Sequence, residues 1–184
     1  MKIALVGWGS LIWNHGVLQT SGEWMNNGPL LPIEFARIAS DGRMTLVIYP
    51  PAPTVPTLWI RAGSHDLDQV IENLGERERT TANNVGFLCR AAGRWRARFP
   101  RLIKTLQRWS FQNSLDAVVW TDLESTFERE TGVPFTHQSA INYLSELRGA
   151  KRDSAEEYIR SAPPQTDTPL RRRIERELGW VAVD

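Results

Sequence analysis

The sequence predicts an α+β fold, on three observations. Short apolar runs rich in strand-forming residues recur along the first two thirds of the chain, and a clear helical pattern interrupts them after Asp66. From about Leu123 onward only helical periodicity remains. A length of 184 residues suits one hydrophobic core, because a single core can grow to about 250 residues. We therefore expect a strand-rich domain over residues 1–122 and a helical extension over residues 123–184 packed on that domain.

The strands follow from apolar runs bounded by turn residues. The first run, Ile3 to Val6, stops at glycines and predicts a buried strand that ends in a tight loop. Two later runs flank Asp41-Gly42, a strong signal for a hairpin turn. The remaining runs bring the total to about five or six strands; they are Thr57 to Ile60, Val85 to Cys89 and Ala117 to Thr121.

Each helix is predicted from a capping signal followed by apolar residues at helical spacing. In the first, Asp66 and Gln69 have the spacing of a capping box, and the helix is expected to run to about Arg79. Three more helices are expected in the extension. Their predicted starts are Thr136 or a neighbouring residue, the capping box Ser154 to Glu157, and Pro169. Their predicted ends are Gly149, Pro163 and Gly179.

Composition and charge exclude several classes of protein. The net charge of +1 provides no overall field to attract nucleic acid or an anionic membrane, so we regard nucleic acid as an improbable partner and expect no membrane association. The single Cys89 cannot form an intramolecular disulfide, and no secretory leader is recognisable, so we place the protein in the cytoplasm. The three histidines are scattered without metal-ligand spacing, and we expect no metal site.

Glu78 departs from the pattern of the first helix. At about 100° per residue it falls on the same face as Leu67, Val70, Ile71 and Leu74, whereas Glu72 and Glu76 point away. A carboxylate on an apolar face should either gain a partner or serve as a proton acceptor in acid-base catalysis. The competing interpretation is that the helix has frayed by residue 78, or that Arg77 or another arginine pairs with Glu78 at the rim.

The loop after the first strand is a candidate anion site. Glycine lets the backbone approach a ligand closely, and successive N–H groups of Gly9, Ser10 and Leu11 can converge on a carboxylate or phosphate. A tight turn with only local bonds explains the same residues equally well. Ile12 stands where a dinucleotide fingerprint needs its third glycine, and also where a serine-hydrolase elbow needs glycine, so both of those readings are disfavoured.

The segment Val6 to Trp13, which contains Trp8-Gly9-Ser10-Leu11, resembles the opening Tyr-Gly-Ser loop of the γ-glutamylcyclotransferase family, most closely its form in glutathione-degrading members. A second segment, Leu74 to Glu78, is similar to the family segment in which a helix ends with the catalytic glutamate. The order and separation of the two segments fit the family. The resemblance covers about residues 1–122 and implies a small mixed β-barrel with flanking helices.

The resemblance also implies a reaction. Family members convert a small γ-glutamyl compound into 5-oxoproline by attack of its α-amine on its own γ-carbonyl, without a metal or cofactor. Carried over, Glu78 is the catalytic general acid/base, and Trp8, Gly9, Ser10 and Leu11 bind the substrate, with the last three holding its α-carboxylate through their N–H groups. A non-catalytic member that senses a ligand or binds a protein is the alternative.

Two departures from the family pattern bear on activity and substrate. Trp8 replaces the family's tyrosine, so a hydroxyl is exchanged for an indole that only donates hydrogen bonds. Arg79 follows the glutamate where other residues are usual. The helical extension would cap the pocket or form a homodimer, and its pattern does not decide between these.

A basic segment lies between the last two predicted strands. It contains Arg90, Arg94, Arg96, Arg98, Arg101, Lys104 and Arg108 together with Trp95 and Trp109. Such a run binds an acidic partner or RNA, or forms a solvated face whose long stems cover apolar surface, and the last is the commonest case. A similar group, Arg171-Arg172-Arg173, is offset by glutamates on the same helix and is also expected to be solvated.

Overall fold

A computed structural model describes residues 1–183. They form two compact units, each assembled from separated stretches of the chain. The first unit contains residues 1–7, 14–31 and 56–123, and the second contains residues 8–13, 32–55 and 124–183.

A six-stranded mixed sheet forms the centre of the first unit. Its strands are β1 (Ile3–Gly7), β2 (Thr20–Met25), β6 (Leu58–Ala62), β7 (Val85–Cys89), β8 (Arg94–Arg96) and β9 (Ala117–Thr121). They lie in the order β2-β6-β1-β9-β7-β8, with β1 parallel to β9 and the other pairs antiparallel. Every residue of β1 is buried, as expected for a central strand with a continuous apolar run.

Two helices belong to this unit, α1 (Leu67–Arg77) and α2 (Ile103–Gln112). Asp66 caps α1 as predicted, because its side chain accepts from the N–H groups of Asp68 and Gln69 at 2.9 and 3.2 Å. A full capping box would also have the Gln69 side chain accept from the Asp66 N–H. Gln69 instead accepts from the Ser64 hydroxyl at 2.8 Å, so only half of the predicted box is formed. Short 3₁₀ turns at Ala82–Asn84 and Pro100–Leu102 precede β7 and α2.

The second unit is built on a three-stranded sheet, ordered β4-β3-β5. Its strands are β3 (Leu30–Ile38), β4 (Met44–Ile48) and β5 (Thr54–Pro56). The predicted hairpin is confirmed: β3 and β4 pair antiparallel around a turn in which Gly42 has a φ of 87°, a conformation that glycine adopts without strain.

Four helices follow in the same unit: α3 (Phe127–Thr131), α4 (His137–Glu146), α5 (Gly149–Ser161) and α6 (Pro169–Leu178). Thr136 caps α4 in a full capping box with Ser139, and Pro169 opens α6, both as predicted. The predicted box at Ser154 is wrong, since Ser154 lies inside α5. Gly149 begins α5 rather than closing α4.

The α+β class is confirmed by this mixed sheet with its helices. Over residues 1–183 the sheets are open, with β2 and β8 at the edges of the larger one, so the closed barrel is unconfirmed. Strands β2, β5 and β8 and helices α2 and α3 were not predicted. No helix within residues 1–183 combines the length and apolar character needed to cross a bilayer.

Candidate active site

Glu78 closes α1. The buried stripe of this helix consists of Leu67, Val70, Ile71, Leu74 and Gly75. Glu78 is the C-cap residue, and its N–H donates to the Leu74 carbonyl at 3.0 Å. The helix therefore ends one residue before the carboxylate, yet the backbone of Glu78 keeps a helical conformation, with φ of −82° and ψ of 0°.

A tight reverse turn fixes the backbone just beyond Glu78. The N–H of Thr80 donates to the Gly75 carbonyl at 2.9 Å, and the N–H of Arg79 donates to the Glu76 carbonyl at 3.0 Å. These two bonds form a Schellman motif, which places its turning residue in the left-handed region. Here that residue is Arg79, with φ of 51°, where glycine is usual. The side chain of Arg79 is exposed.

The Glu78 carboxylate is shielded and paired. Arg77 Nη1 lies 2.9 Å from Glu78 Oε1, and the two side chains are only 12% and 15% exposed. The Nη2 atom of Arg77 donates to the Asn14 carbonyl at 2.6 Å. A charge-assisted bond from a guanidinium that is itself anchored holds the carboxylate in one orientation. The paired arrangement considered in the sequence analysis is thus present, with Arg77 as the partner.

In the second unit, Trp8 is part of the scaffold. The residue is 5% exposed, and its Nε1 donates to the Leu46 carbonyl on β4 at 3.3 Å. The carbonyl of Trp8 accepts from the Thr166 hydroxyl at 3.4 Å. The single hydrogen-bond donor of the Trp8 indole is therefore engaged with the backbone.

Gly9 to Ile12 form a turn closed by the Ile12 N–H, which donates to the Gly9 carbonyl at 3.0 Å. Within residues 1–183, the N–H groups of Gly9 and Leu11 donate to no protein acceptor, although both residues are buried. Ser10 is half-buried and has an interaction of its own. Amides of a turn that donate to no protein acceptor can serve an anion.

Tyr158 on α5 explains why position 9 is glycine. A Cβ atom at Gly9 would lie 2.6 Å from the Tyr158 hydroxyl, closer than atoms pack. The hydroxyl accepts from the Leu46 N–H at 3.4 Å, and the ring packs edge-on to Phe35 and Trp13. Tyr158 is not among the site residues predicted from the sequence. Its role beside the loop has no local signal, because the two are far apart in the chain.

Glu34 on β3 is a buried carboxylate that was not anticipated. Its side chain is 1% exposed and accepts from the Thr168 hydroxyl at 2.5 Å and the Phe35 N–H at 2.8 Å. His137 Nε2 lies 3.6 Å away. Burial raises the pKa of the Glu34 carboxyl, against the lowering effect of these hydrogen bonds. A lone acid inside the apolar run Leu31 to Ile38 was the signal that could have revealed it.

Asp122, which directly follows β9 in the first unit, is another buried carboxylate. It is 3% exposed, and Oδ2 accepts from the Arg98 N–H at 2.5 Å. Burial raises the pKa of this carboxyl, and the bond from Arg98 acts in the opposite direction. Asp122 anchors loops through their backbone, since its N–H also donates to the Asn84 carbonyl at 2.8 Å.

Among residues 1–183, no group of three or more histidine, cysteine or acidic side chains is placed to hold a metal ion. Comparisons with protein-family models, with curated proteins and with solved structures each find no match.

Proposed function

We propose that this chain is a cytoplasmic γ-glutamylcyclotransferase-like enzyme that releases 5-oxoproline from a small γ-glutamyl amine or peptide. The observation that carries the proposal is the shielded Glu78 carboxylate at the end of α1. It stands at the position that the resemblance to the family gives to the catalytic glutamate. The family's small barrel and the division into residues 1–122 and 123–184 belong to the same proposal.

The reaction requires one proton acceptor. The neutral α-amine attacks the γ-carbonyl carbon, a C–N bond forms, and the Glu78 carboxylate takes the proton that the amine nitrogen loses. The protonated Glu78 then returns this proton to the departing amine as the original amide bond breaks. The products are 5-oxoproline and a free amine, and Glu78 is again a carboxylate. One positioned acid/base contributes about 10²–10⁴-fold to such a step.

Orientation supplies most of the remaining rate, because nucleophile and electrophile belong to one molecule. Well-aligned intramolecular reactions reach effective molarities of about 10⁵–10⁸ M. In the proposal, the N–H groups of Gly9, Ser10 and Leu11 hold the α-carboxylate, and Trp8 completes the substrate-binding segment. The amides of Gly9 and Leu11, which donate to no acceptor within residues 1–183, support this role. The chemistry needs no metal or cofactor.

The Arg77–Glu78 ion pair favours a second candidate, a non-catalytic member that senses a γ-glutamyl ligand or binds a protein. A carboxylate engaged by arginine is a weaker proton acceptor toward substrate than an unpaired one. In the catalytic proposal Arg77 orients Glu78, and in this alternative it keeps Glu78 from reacting.

The test is turnover of γ-glutamyl amino acids, γ-glutamyl amines and glutathione, with 5-oxoproline measured by mass spectrometry. We expect turnover by the unmodified protein and at least about a hundredfold loss in Glu78→Gln, because the amide cannot accept the proton. Glu76→Gln is the matched control, since Glu76 is an exposed glutamate of the same helix. It should retain full activity.

Turnover that survives Glu78→Gln would remove the mechanism. Absence of product from the whole panel, with binding of a γ-glutamyl compound still detectable by calorimetry, would establish the ligand-sensing alternative instead.

A further inference from the structure

The charged residues of the basic segment are all of one sign. Residues 90–115 contain seven lysines and arginines and no acidic residue. Since the whole chain carries +1, the other residues together carry 1 − 7 = −6. This segment forms β8 and α2 in the first unit.

A cavity of about 380 Å³ opens between this segment and the end of β7. Its lining combines buried apolar side chains, exposed aromatic rings and arginines, and includes no carboxylate; these groups are Leu88 and Cys89, Trp95 and Phe111, and Arg90 and Arg108. Trp95 is 46% exposed and Phe111 is 72% exposed. An apolar cavity bordered by aromatic rings and a few charged groups is the usual form of a binding site.

Sheet register and helix spacing bring these residues together. Leu88 pairs with Trp95 across β7 and β8, so both side chains project from the same face of the sheet. Arg108 and Phe111 are three residues apart on α2 and share one side of that helix. Strand β8 is the edge of the sheet, and the cavity therefore lies next to an open strand edge.

Arg90 is held in place at the cavity. Its Nε donates to the Leu115 carbonyl at 3.0 Å, and its guanidinium lies 5.2 Å from the centre of the Phe111 ring. A guanidinium fixed on an aromatic face still presents its outer N–H donors, and the fork geometry matches a carboxylate.

The solvated-face explanation accounts for only part of this surface. Trp109 turns inward, where it is 8% exposed and its indole donates to the Asn27 carbonyl. Trp95 and Phe111 remain exposed beside the cavity, where long basic stems would otherwise be expected to cover them.

We propose that this cavity docks an acidic peptide segment of a partner protein. One apolar side chain of the peptide enters the cavity between Trp95 and Phe111, and flanking carboxylates bind Arg90 and Arg108. Opposite charge supports the choice of partner, because the lining contains two arginines and no acid.

Single-stranded RNA fits the surface less well. Such binding needs a continuous cationic track along the phosphates and a row of stacking rings. The track is interrupted here, because Arg96 donates to the Val85 carbonyl and Arg98 donates to the Asp122 carbonyl and to Asn84.

Fluorescence anisotropy with defined peptides tests the proposal. The probes are fluorescein-labelled heptapeptides Glu-Asp-Glu-Xaa-Asp-Glu-Asp in which Xaa is Leu, Met, Phe or Trp. We expect saturable binding of at least one probe. The matching Gln-Asn-Gln-Xaa-Asn-Gln-Asn peptides and the acidic peptide with Xaa as Gly should bind at least about tenfold more weakly.

Variants locate the site. Arg90→Gln/Arg108→Gln should weaken binding about tenfold or more, and Phe111→Ser should weaken it about fivefold without unfolding, since this ring is exposed. Lys2→Gln/Arg61→Gln removes the same charge from exposed positions elsewhere in the unit and should leave affinity within about twofold.

Three outcomes would overturn the proposal. The first is no binding of any acidic probe up to about 1 mM. The second is tighter binding of a labelled uridine 20-mer that the same variants abolish. The third is dimerisation through Phe111, seen by light scattering as a dimer of the unmodified protein and a monomer of Phe111→Ser. None of these readouts depends on Glu78.

Discussion

Arg79 occupies the left-handed region immediately after the candidate catalytic residue, with φ of 51°. A side chain with a Cβ atom pays about 1–2 kcal/mol for this conformation, whereas glycine adopts it freely. We predict that Arg79→Gly raises the free energy of unfolding by about 1 kcal/mol, measured by urea denaturation.

Arg79→Ala is the control for the lost side chain. Alanine keeps the Cβ atom, so stability should change by less than about 0.5 kcal/mol. Equal stabilisation by alanine and glycine would show that the backbone conformation is not the source of the effect.

Gly9 and Tyr158 form a matched pair, because a Cβ at position 9 would meet the Tyr158 hydroxyl at 2.6 Å. We predict that Gly9→Ala lowers the free energy of unfolding by about 1–3 kcal/mol through overpacking. Adding Tyr158→Phe should recover more than half of that loss, since the clashing oxygen is removed. If the double variant is as unstable as the sum of the two singles, the steric explanation is wrong.

Single residues differ in how far the sequence reveals them. Glu78 could be identified because its spacing continues a helical stripe, and the ion pair with Arg77 was among the interpretations left open. Tyr158 could not be, because its contact with Gly9 joins positions that no periodicity relates. Arg171 was expected to be solvated and is instead 2% exposed, since it donates to the carbonyls of Ala162 and Pro163.

At the scale of elements, Glu34 on β3 secures the start of α6. It accepts from the hydroxyl of Thr168, the N-cap residue, and from the Leu170 N–H at 3.4 Å. A carboxylate at a helix N-terminus is favourable when charged, yet here burial raises its pKa and opposes ionisation. The charged and titratable groups facing it are His137 and, at longer range, Tyr49.

The raised pKa of Glu34 gives a definite sign to the pH dependence. The folded protein keeps the Glu34 proton to higher pH than the unfolded chain, whose carboxyl has its ordinary pKa of 4.5. The contribution of the Glu34 proton to the free energy of unfolding is complete below pH 4.5, and it is lost as pH rises through the folded pKa of Glu34. We predict that the stability of Glu34→Gln relative to the unmodified protein increases as pH rises from 4.5 through the folded pKa of Glu34, measured by urea denaturation.

Glu146→Gln serves as the comparison, because Glu146 is an exposed glutamate at the end of α4. Its urea denaturation over the same pH range gives the effect of removing an exposed carboxylate, against which the Glu34→Gln curve is compared. An opposite slope for Glu34→Gln would mean that hydrogen bonds from Thr168 and Phe35 outweigh the burial of Glu34.

Among the elements themselves, those with a full local signal were predicted and those without one were not. The Asp-Gly pair predicted the β3–β4 hairpin, and Thr136 and Pro169 predicted the starts of α4 and α6. Strand β8 has only three residues, too few for an alternating pattern to be recognised. The box at Ser154 failed because helical residues from Gly149 already precede it, so its spacing coincides with a helix interior.

For the whole molecule, composition and periodicity were sufficient for the α+β class but not for strand order. The parallel pair β1–β9 joins Ile3 to Ala117, and the partner of a strand is decided by long-range packing that no local pattern encodes. The two compact units likewise recruit distant stretches of the chain, as when residues 8–13 join residues 124–183 in the second unit.

The acid-free stretch on β8 and α2 also affects how the protein should be handled. From its isoelectric point near 8.0 alone, the protein would be expected to bind ion-exchange resins only weakly in a neutral buffer. We expect the seven cations within 26 positions, together with the excess of acids elsewhere, to make the protein bind a sulfonate column. In dilute buffer, where electrostatic fields extend about 30 Å, we expect the molecules to attract one another and precipitate. In ordinary saline these fields are screened, and we expect the molecules to stay apart.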